Sequence, residues 1–240
     1  MLVKFTNFKK LEENSSKLVV LLLGSIEQHG PFMPLGTDTL MGEALSNSLE
    51  EKLGEKIVIF PVLPFGAANE HKGFPGTITI ETSTYMLFVK DVLNSIVAAG
   101  FKKILVISTH GGNDLIARVI QADFNYVNKT KVEYIFAFEG QEIEEKTIEL
   151  FGGSEMHAGS SENSIIAALF PKAVSFMGIK VNKKFAPNRE GAFTLFPTRE
   201  MTDIGILNYS SKLEVDPKKG RELFDFIADK LCQRIEAIRL

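Results

Sequence analysis

Two short segments hold most of the side chains able to bind a metal ion or move a proton. One is Gly24-Ser25-Ile26-Glu27-Gln28-His29-Gly30-Pro31, followed by Asp38; the other is Ser108-Thr109-His110-Gly111-Gly112-Asn113. The chain has four histidines, and two of them fall here, each just beyond an apolar, β-branched run. Glu27 and His29, at i and i+2, point to one side of an extended chain, so a carboxylate and an imidazole converge on one volume. At the end of an apolar strand such groups need partners that solvent or a metal must supply. With Asp38 they favour a ligand set, although Asp38 alone is better explained as a cap for the helical pattern at Leu40, Ala44, Leu45, Leu49 and Leu53.

A third cluster, Glu155-Met156-His157-Ala158-Gly159-Ser160-Ser161-Glu162, precedes the apolar run Ile165 to Phe170. On one helix a spacing of five fits 3.6 residues per turn poorly, so His157 and Glu162 are expected to have different roles. Glu162 can supply a further anionic ligand and His157 can transfer a proton. The plainer alternative makes Ser160 or Ser161 a helix N-cap with Glu162 in the first turn. His71, in Asn69-Glu70-His71-Lys72-Gly73-Phe74-Pro75-Gly76-Thr77, reads either as a loop histidine that is simply solvated or hydrogen-bonded, or as a substrate contact beside Thr77.

The elements that must carry these groups alternate. Leu18 to Leu23 is a continuous apolar run that suits a strand covered on both faces, and Lys103 to Ser108 repeats it. Gly111-Gly112 allows a tight turn, and Asn113 or Asp114 can cap the helix that begins near Leu115. Ile57 to Phe60 and Val132 to Phe138 read as two more strands, and Met86 to Ile96 as an amphipathic helix closed by Gly100. The order β-α-β-α-β-α-β predicts an α/β fold, one three-layer domain over residues 1–240 with a mainly parallel sheet covered by helices. In such sheets the ligand crevice lies outside the carboxyl ends of the strands, where both leading segments sit. Asp216 to Gly220 opens a terminal helix from about Arg221 to Arg239, with Cys232 on its apolar face.

Taken together, Gly24 to Pro31 with Asp38, Phe74-Pro75-Gly76-Thr77, Thr109 to Asn113, and His157-Ala158-Gly159 with Glu162 resemble the creatininase (creatinine amidohydrolase) family, from about Lys17 to about Leu169. The resemblance implies a hydrolytic metalloenzyme, often hexameric, that binds two divalent ions and opens an amide-type C–N bond. Carried over position by position, it makes Glu27, His29, Asp38, His110 and Glu162 the metal ligands, with Asp38 as the bridge, and sets His157 near the reaction centre. Gly111, His71 and Thr77 are then expected to contact substrate. The family includes creatinine ring hydrolases, a formamidopyrimidine deformylase and a peptidase that matures a redox peptide cofactor. True creatininases carry an aromatic residue and a carboxylate after the histidine matched by His110, where this chain has Gly111 and Gly112. They also carry a tryptophan before the histidine matched by His157, and this chain has none. The Gly-Gly-Asn form is closer to the deformylase-like branch, so a formamide or cyclic amide is expected in preference to creatinine.

Carboxylate and imidazole ligands without thiolate suit Zn²⁺, Mn²⁺ or Fe²⁺. Two such ions about 3.5 to 4 Å apart would activate water and polarise an amide carbonyl, and His157, with an ordinary imidazole pKa, would protonate the leaving nitrogen. Peptide cleavage and a non-catalytic metal-binding scaffold are the alternatives. A net charge of −3 and a pI near 5.9 give no reason to expect nucleic acid or anionic membrane as partner. One cysteine cannot form an internal disulfide, and no apolar run reaches membrane-spanning length, so a soluble, cytoplasmic protein is expected, and the resemblance implies a homo-oligomer acting on a small molecule. Arg189 and Arg199 are most simply surface residues, with an anionic substrate group as the alternative.

Overall fold

The computed structural model describes residues 1–128, 130–153, 155–175, 197–208 and 213–238. In chain order its elements are α1 (Phe8–Glu12), β1 (Leu18–Leu23), α2 (Thr37–Leu53), β2 (Ile57–Ile59), α3 (Thr82–Ala98), β3 (Lys103–Ser108), α4 (Asp114–Val127), β4 (Lys131–Phe136), α5 (Gln141–Phe151), β5 (Glu155–His157), α6 (Ser160–Leu169), α7 (Thr198–Met201), β6 (Leu207–Asn208) and α8 (Pro217–Ala237). Strands β2-β1-β3-β4 form one parallel sheet, and β5 pairs antiparallel with β6.

The apolar run of β1 divides between two cores by simple alternation. Val20 and Leu22 pack with Leu45 and Leu49 of α2, Ile165 of α6 and Leu231 of α8. Val19, Leu21 and Leu23 pack on the opposite face with Val89 and Leu93 of α3 and Ile120 and Phe124 of α4. A strand buried on both faces needs apolar side chains at every position, and each stabilises the fold by roughly 1.5–3 kcal/mol. The result is the expected α/β fold, with a parallel sheet between two helical layers.

The strand order decides where a ligand can sit. From β1 the chain passes through α2 to β2 on one side, then through α3 back across to β3 on the other. The direction of winding therefore reverses between β1 and β3, and loops leaving their carboxyl ends diverge and open a crevice. The register sets Leu23 beside Ser108, so the segments beginning at Gly24 and Thr109 leave the sheet side by side.

Several boundaries differ from the sequence reading. Helix α2 starts at Thr37, with Gly36 at its N-cap, so Asp38 lies within the first turn rather than ahead of it. Helix α8 begins at Pro217, not near Arg221. The Asp216 side chain accepts hydrogen bonds from the Lys218 and Lys219 amides, and proline suits the first helical position. Cys232 is buried on that helix as expected. Arg189 lies outside the described residues. No helix among the described residues is long and apolar enough to cross a membrane.

Candidate metal centre

The segment after β1 is folded back on itself by backbone bonds. The Glu27 amide donates to Leu35 O at 2.9 Å and Ile78 N donates to Ile26 O at 2.9 Å. This turns Glu27 and His29 inward, where both are buried. Helix α2 starts over the same place, and Thr109 Oγ1 donates to Asp38 O at 2.8 Å, tying its first turn to the end of β3. His110 follows directly.

Four groups from β1, α2 and β3 thereby meet. His110 Nδ1 lies 3.0 Å from Glu27 Oε2 and 3.5 Å from Asp38 Oδ2. His29 Nε2 lies 3.5 Å from Asp38 Oδ1 and 3.9 Å from Glu27 Oε1. Asp38 thus offers one oxygen to each imidazole. Ser25 Oγ donates to Glu27 Oε2 at 2.7 Å and fixes that carboxylate.

The third cluster arrives from the two-stranded sheet. His157 ends β5, and Ala158, at φ +54° in the left-handed region, kinks the chain into α6. For a residue with a Cβ that conformation is strained, and strain of this kind gathers at functional sites. The kink directs the Ala158 amide to Glu162 Oε2, and His157 and Glu162 share a cluster of mutually close donor atoms with His29. The helical-spacing argument that set these two residues apart does not apply, because His157 is on the strand. Nor does Ser160 or Ser161 cap α6. The N-cap is Gly159, and Glu155 accepts from the Ser160 and Ser161 amides at 2.6 and 2.7 Å.

Ring nitrogens identify the atoms available to a cation. His110 Nε2 donates to Ala67 O at 3.1 Å, so the lone pair of the neutral ring is at Nδ1, facing Glu27 and Asp38. The His29 Nδ1–H is directed at Glu27 O, 3.3 Å away, which leaves Nε2 toward Asp38. A lone pair facing two carboxylates is repulsive unless a proton or a metal stands between them. The titration behaviour says the same. Burial pulls His110 down, but the Glu27 and Asp38 carboxylates outweigh it and lift the ring to about 10. Burial likewise opposes, and Asp38 chiefly drives, the rise of His29 to about 9. Burial would raise Glu27, yet His110 and His71 hold it well below the ordinary carboxylate range. Burial and the neighbouring Glu27 charge raise Asp38, while burial, opposed by His29, pushes Glu162 up to about 7.

The donor set fits a divalent cation. Asp38 Oδ2 is buried and receives no hydrogen bond among the described residues, although a carboxylate oxygen out of water needs one or a metal. Three groups of residues bring ligand atoms within reach of one ion: Glu27, Asp38 and His110; His29, His157 and Glu162; and Glu27, His71 and His157.

His157 differs from the sequence expectation in one respect. Burial, then the neighbouring His71 and His29 rings, hold its pKa well below the usual imidazole value, so it is neutral near pH 7. Its Nε2 is bracketed by Gln28, and Nδ1 faces Glu27 Oε1 at 4.0 Å. His71 is not solvated. It is fully buried, its ring stacked on His157 at 4.2 Å between centroids, with Nε2 3.2 Å from Glu27 Oε1. Thr77 accepts a hydrogen bond from the Gln28 amide at 3.0 Å and so supports the ligand segment from behind. Arg199 is exposed, over the Phe74 ring, with Nη2 donating to Gly73 O.

Sequence reasoning missed four contributors. Asn113 occupies the N-cap position of α4 as expected, but its side chain makes no capping bond: it accepts from the Ala67 amide and donates to Gly24 O, joining two loops under the site. Glu70 is buried, 3.7 Å from His110 Nε2, in space that a side chain at position 112 would need. Gln28 and Thr198 touch His71. Of these, Gln28 and Asn113 stand inside the motifs and Glu70 beside His71, whereas Thr198 carries no local signal.

A cavity of about 200 Å³ reaches the cluster, lined by Glu27, Asp38, His110, Gly111, His157 and Glu162 together with Phe136, Phe138 and Met156. The last three, with His157 and Glu162, also line a wider vestibule of about 440 Å³ that extends to Arg118 and Glu144.

The profile of the family described as Creatininase, creatinine amidohydrolase, matches residues 3–235. The chain belongs to the creatininase family. Among curated relatives, the mycofactocin precursor peptide peptidase of Mycobacterium tuberculosis is 26% identical over 235 residues, covering 92% of this chain and 86% of the relative. That of Mycolicibacterium smegmatis is 28% identical over 162 residues, covering 65% of this chain and 60% of the relative. The chain therefore spans under two thirds of the second relative's length. A solved creatininase in its Mn form superposes with a TM-score of 0.76 at 18% identity, over 98% of this chain and 97% of that one.

Proposed function

We propose that this creatininase-family protein is a metal-dependent amidohydrolase that holds two divalent ions and hydrolyses a C–N amide bond. The observation that carries the reading is Asp38, a buried carboxylate with one oxygen toward His29 and the other toward His110. Glu27, Asp38 and His110 would hold one ion, and His29, Asp38 and Glu162 the other. When bound, such a pair supplies a Lewis acid for the carbonyl and an activated water at neutral pH. Zn²⁺ and Mn²⁺ fit the donor types, with Fe²⁺ also within range.

The remaining work falls to the chain. His157 is neutral, so it can take up a proton released from water and then return it to the departing nitrogen. Phe136, Phe138 and Met156 narrow the entry and exclude bulk water, which strengthens every charge interaction inside. Gly111 leaves the wall beside His110 without a side chain and makes room for substrate.

Two substrate readings have support. The vestibule, larger than a creatinine ring needs, and the curated relatives favour a peptide amide. The Gly111-Gly112 pair and the absence of tryptophan favour the formamide or cyclic amide expected from the sequence. The test is metal content per chain, paired with hydrolysis of creatinine, a formamidopyrimidine nucleotide and short peptides before and after chelation. About two ions per chain with chelator-sensitive turnover of one substrate class is expected. A chain that takes up no Zn²⁺, Mn²⁺ or Fe²⁺ refutes the ligand assignment.

A further inference from the structure

We infer that Gln28 and Thr198 fix the tautomer of His71 with its proton on Nε2, the nitrogen facing Glu27, and so remove it from the ligand set. Three donor groups can be drawn around this cluster, and this contact decides between them. The inference rests on the two-ion reading above.

Gln28 is 5% exposed, so its amide must find its partners inside the protein. Its Oε1 accepts from the Gly30 amide at 3.0 Å, which settles the orientation of the group, because the amide NH₂ in that place would confront an N–H. Packing keeps it there. Gly205 sits at φ +77°, and a Cβ added to it would overlap Gln28 Oε1, so that neighbour has to be glycine. The NH₂ group is consequently turned to the histidines, with Nε2 2.9 Å from His71 Nδ1 and 2.9 Å from His157 Nε2.

An amide NH₂ can only donate. His71 Nδ1 must therefore accept, and the Thr198 hydroxyl, 3.0 Å from the same nitrogen and buried, supplies a second donor. A neutral ring that accepts at Nδ1 carries its proton at Nε2, and Nε2 lies 3.2 Å from Glu27 Oε1. The proton occupies the lone pair a metal would need. The group of Glu27, His71 and His157 is thus excluded, and the groups of Glu27, Asp38 and His110 and of His29, His157 and Glu162 remain. His71 instead orients Glu27 from behind, as residues outside a metal's own ligands commonly do.

The test is the long-range ¹H–¹⁵N correlation of the four imidazoles in the metal-free protein at mildly alkaline pH, followed by a Zn²⁺ titration. Wild-type His71 is expected in the Nε2–H form, and Gln28→Glu, which can only accept, is expected to place a proton on Nδ1. Thr198→Val removes one donor while keeping Gln28, so the wild-type tautomer should persist in it. That variant serves if Gln28→Glu does not fold. During titration His29 and His110 should show direct nitrogen shifts on binding Zn²⁺, and His71 Nε2 should keep its proton. An Nδ1–H form in the wild type, no change in folded Gln28→Glu, or loss of the Nε2 proton to Zn²⁺ overturns the inference. Failure to bind Zn²⁺ would count against the two-ion reading alone, since the tautomer is read without metal.

Discussion

Replacing Glu27 by Gln tests whether charge holds the centre together. The Glu27 carboxylate has ring nitrogens of His110, His71, His29 and His157 at 3.0, 3.2, 3.9 and 4.0 Å. The amide keeps the shape and removes the anion. Breaking a buried pair by removing one partner costs about 3–5 kcal/mol. At roughly 2–4 °C per kcal/mol for a chain of this length, the metal-free variant should melt about 6–20 °C below wild type. The pH dependence has a definite sign. Glu27 is depressed in the fold, so its contribution is present above the unfolded value of 4.5 and is lost as pH falls through its lower folded value. His110 is raised, so its contribution is complete below 6.5 and is lost as pH rises through about 10. The gap between variant and wild type should therefore be widest between those unfolded values, and narrow on both sides. Thermal unfolding followed by circular dichroism across pH, on chelator-treated protein, measures it. Zn²⁺ at a hundredfold excess over its dissociation constant adds about 2.7 kcal/mol per bound ion, and Glu27→Gln should lose the share of one ion. A metal-free variant that melts within a degree or two of wild type, or that still takes up two ions, refutes the reasoning.

Other perturbations separate positioning from chemistry. His157→Asn should lower turnover by about 10²–10⁴-fold with metal content intact, and loss of metal would move His157 into the ligand set. Gly112→Ala puts a Cβ 2.4 Å from Ala67 O and His110 Nε2, so the loop must shift, at about 1–3 kcal/mol and with weakened metal uptake; Gly111→Ala, with no atom within 4 Å, should melt like wild type. Thermal unfolding reads both stabilities, and calorimetry in buffers of different ionisation enthalpy counts the protons released on metal binding. Because His29 and His110 must give up protons held to about 9 and 10, metal affinity should climb with pH through the neutral range, and a flat profile would contradict the assigned nitrogens.

Much of this centre was legible in the residues. Apolar runs from Leu18 and Lys103 announced strands buried on both faces, and chemistry placed just past them fell at the carboxyl ends of β1 and β3. Local rules suffice there, since alternation and turn residues act over a few positions. They failed wherever partners came from afar. Asn113 looked like a cap because its type suits one, yet two loops remote in sequence claim its amide.

The sequence by itself determined the element order and the parallel sheet, because these follow from side-chain periodicity, and the resemblance carried by its motifs singled out Glu27, His29, Asp38, His110 and Glu162. Only the tertiary structure brought those carboxylates and imidazoles together. The reversal of strand order between β1 and β3 brings distant loops together, and Ala158 turns β5 so that His157 and Glu162 face the same volume. It also buried His71 behind Glu27 and set Gln28 and Thr198 on its Nδ1. Which nitrogen carries a proton depends on neighbours within hydrogen-bond distance, and those neighbours come from positions 28, 71 and 198, brought together by folding alone.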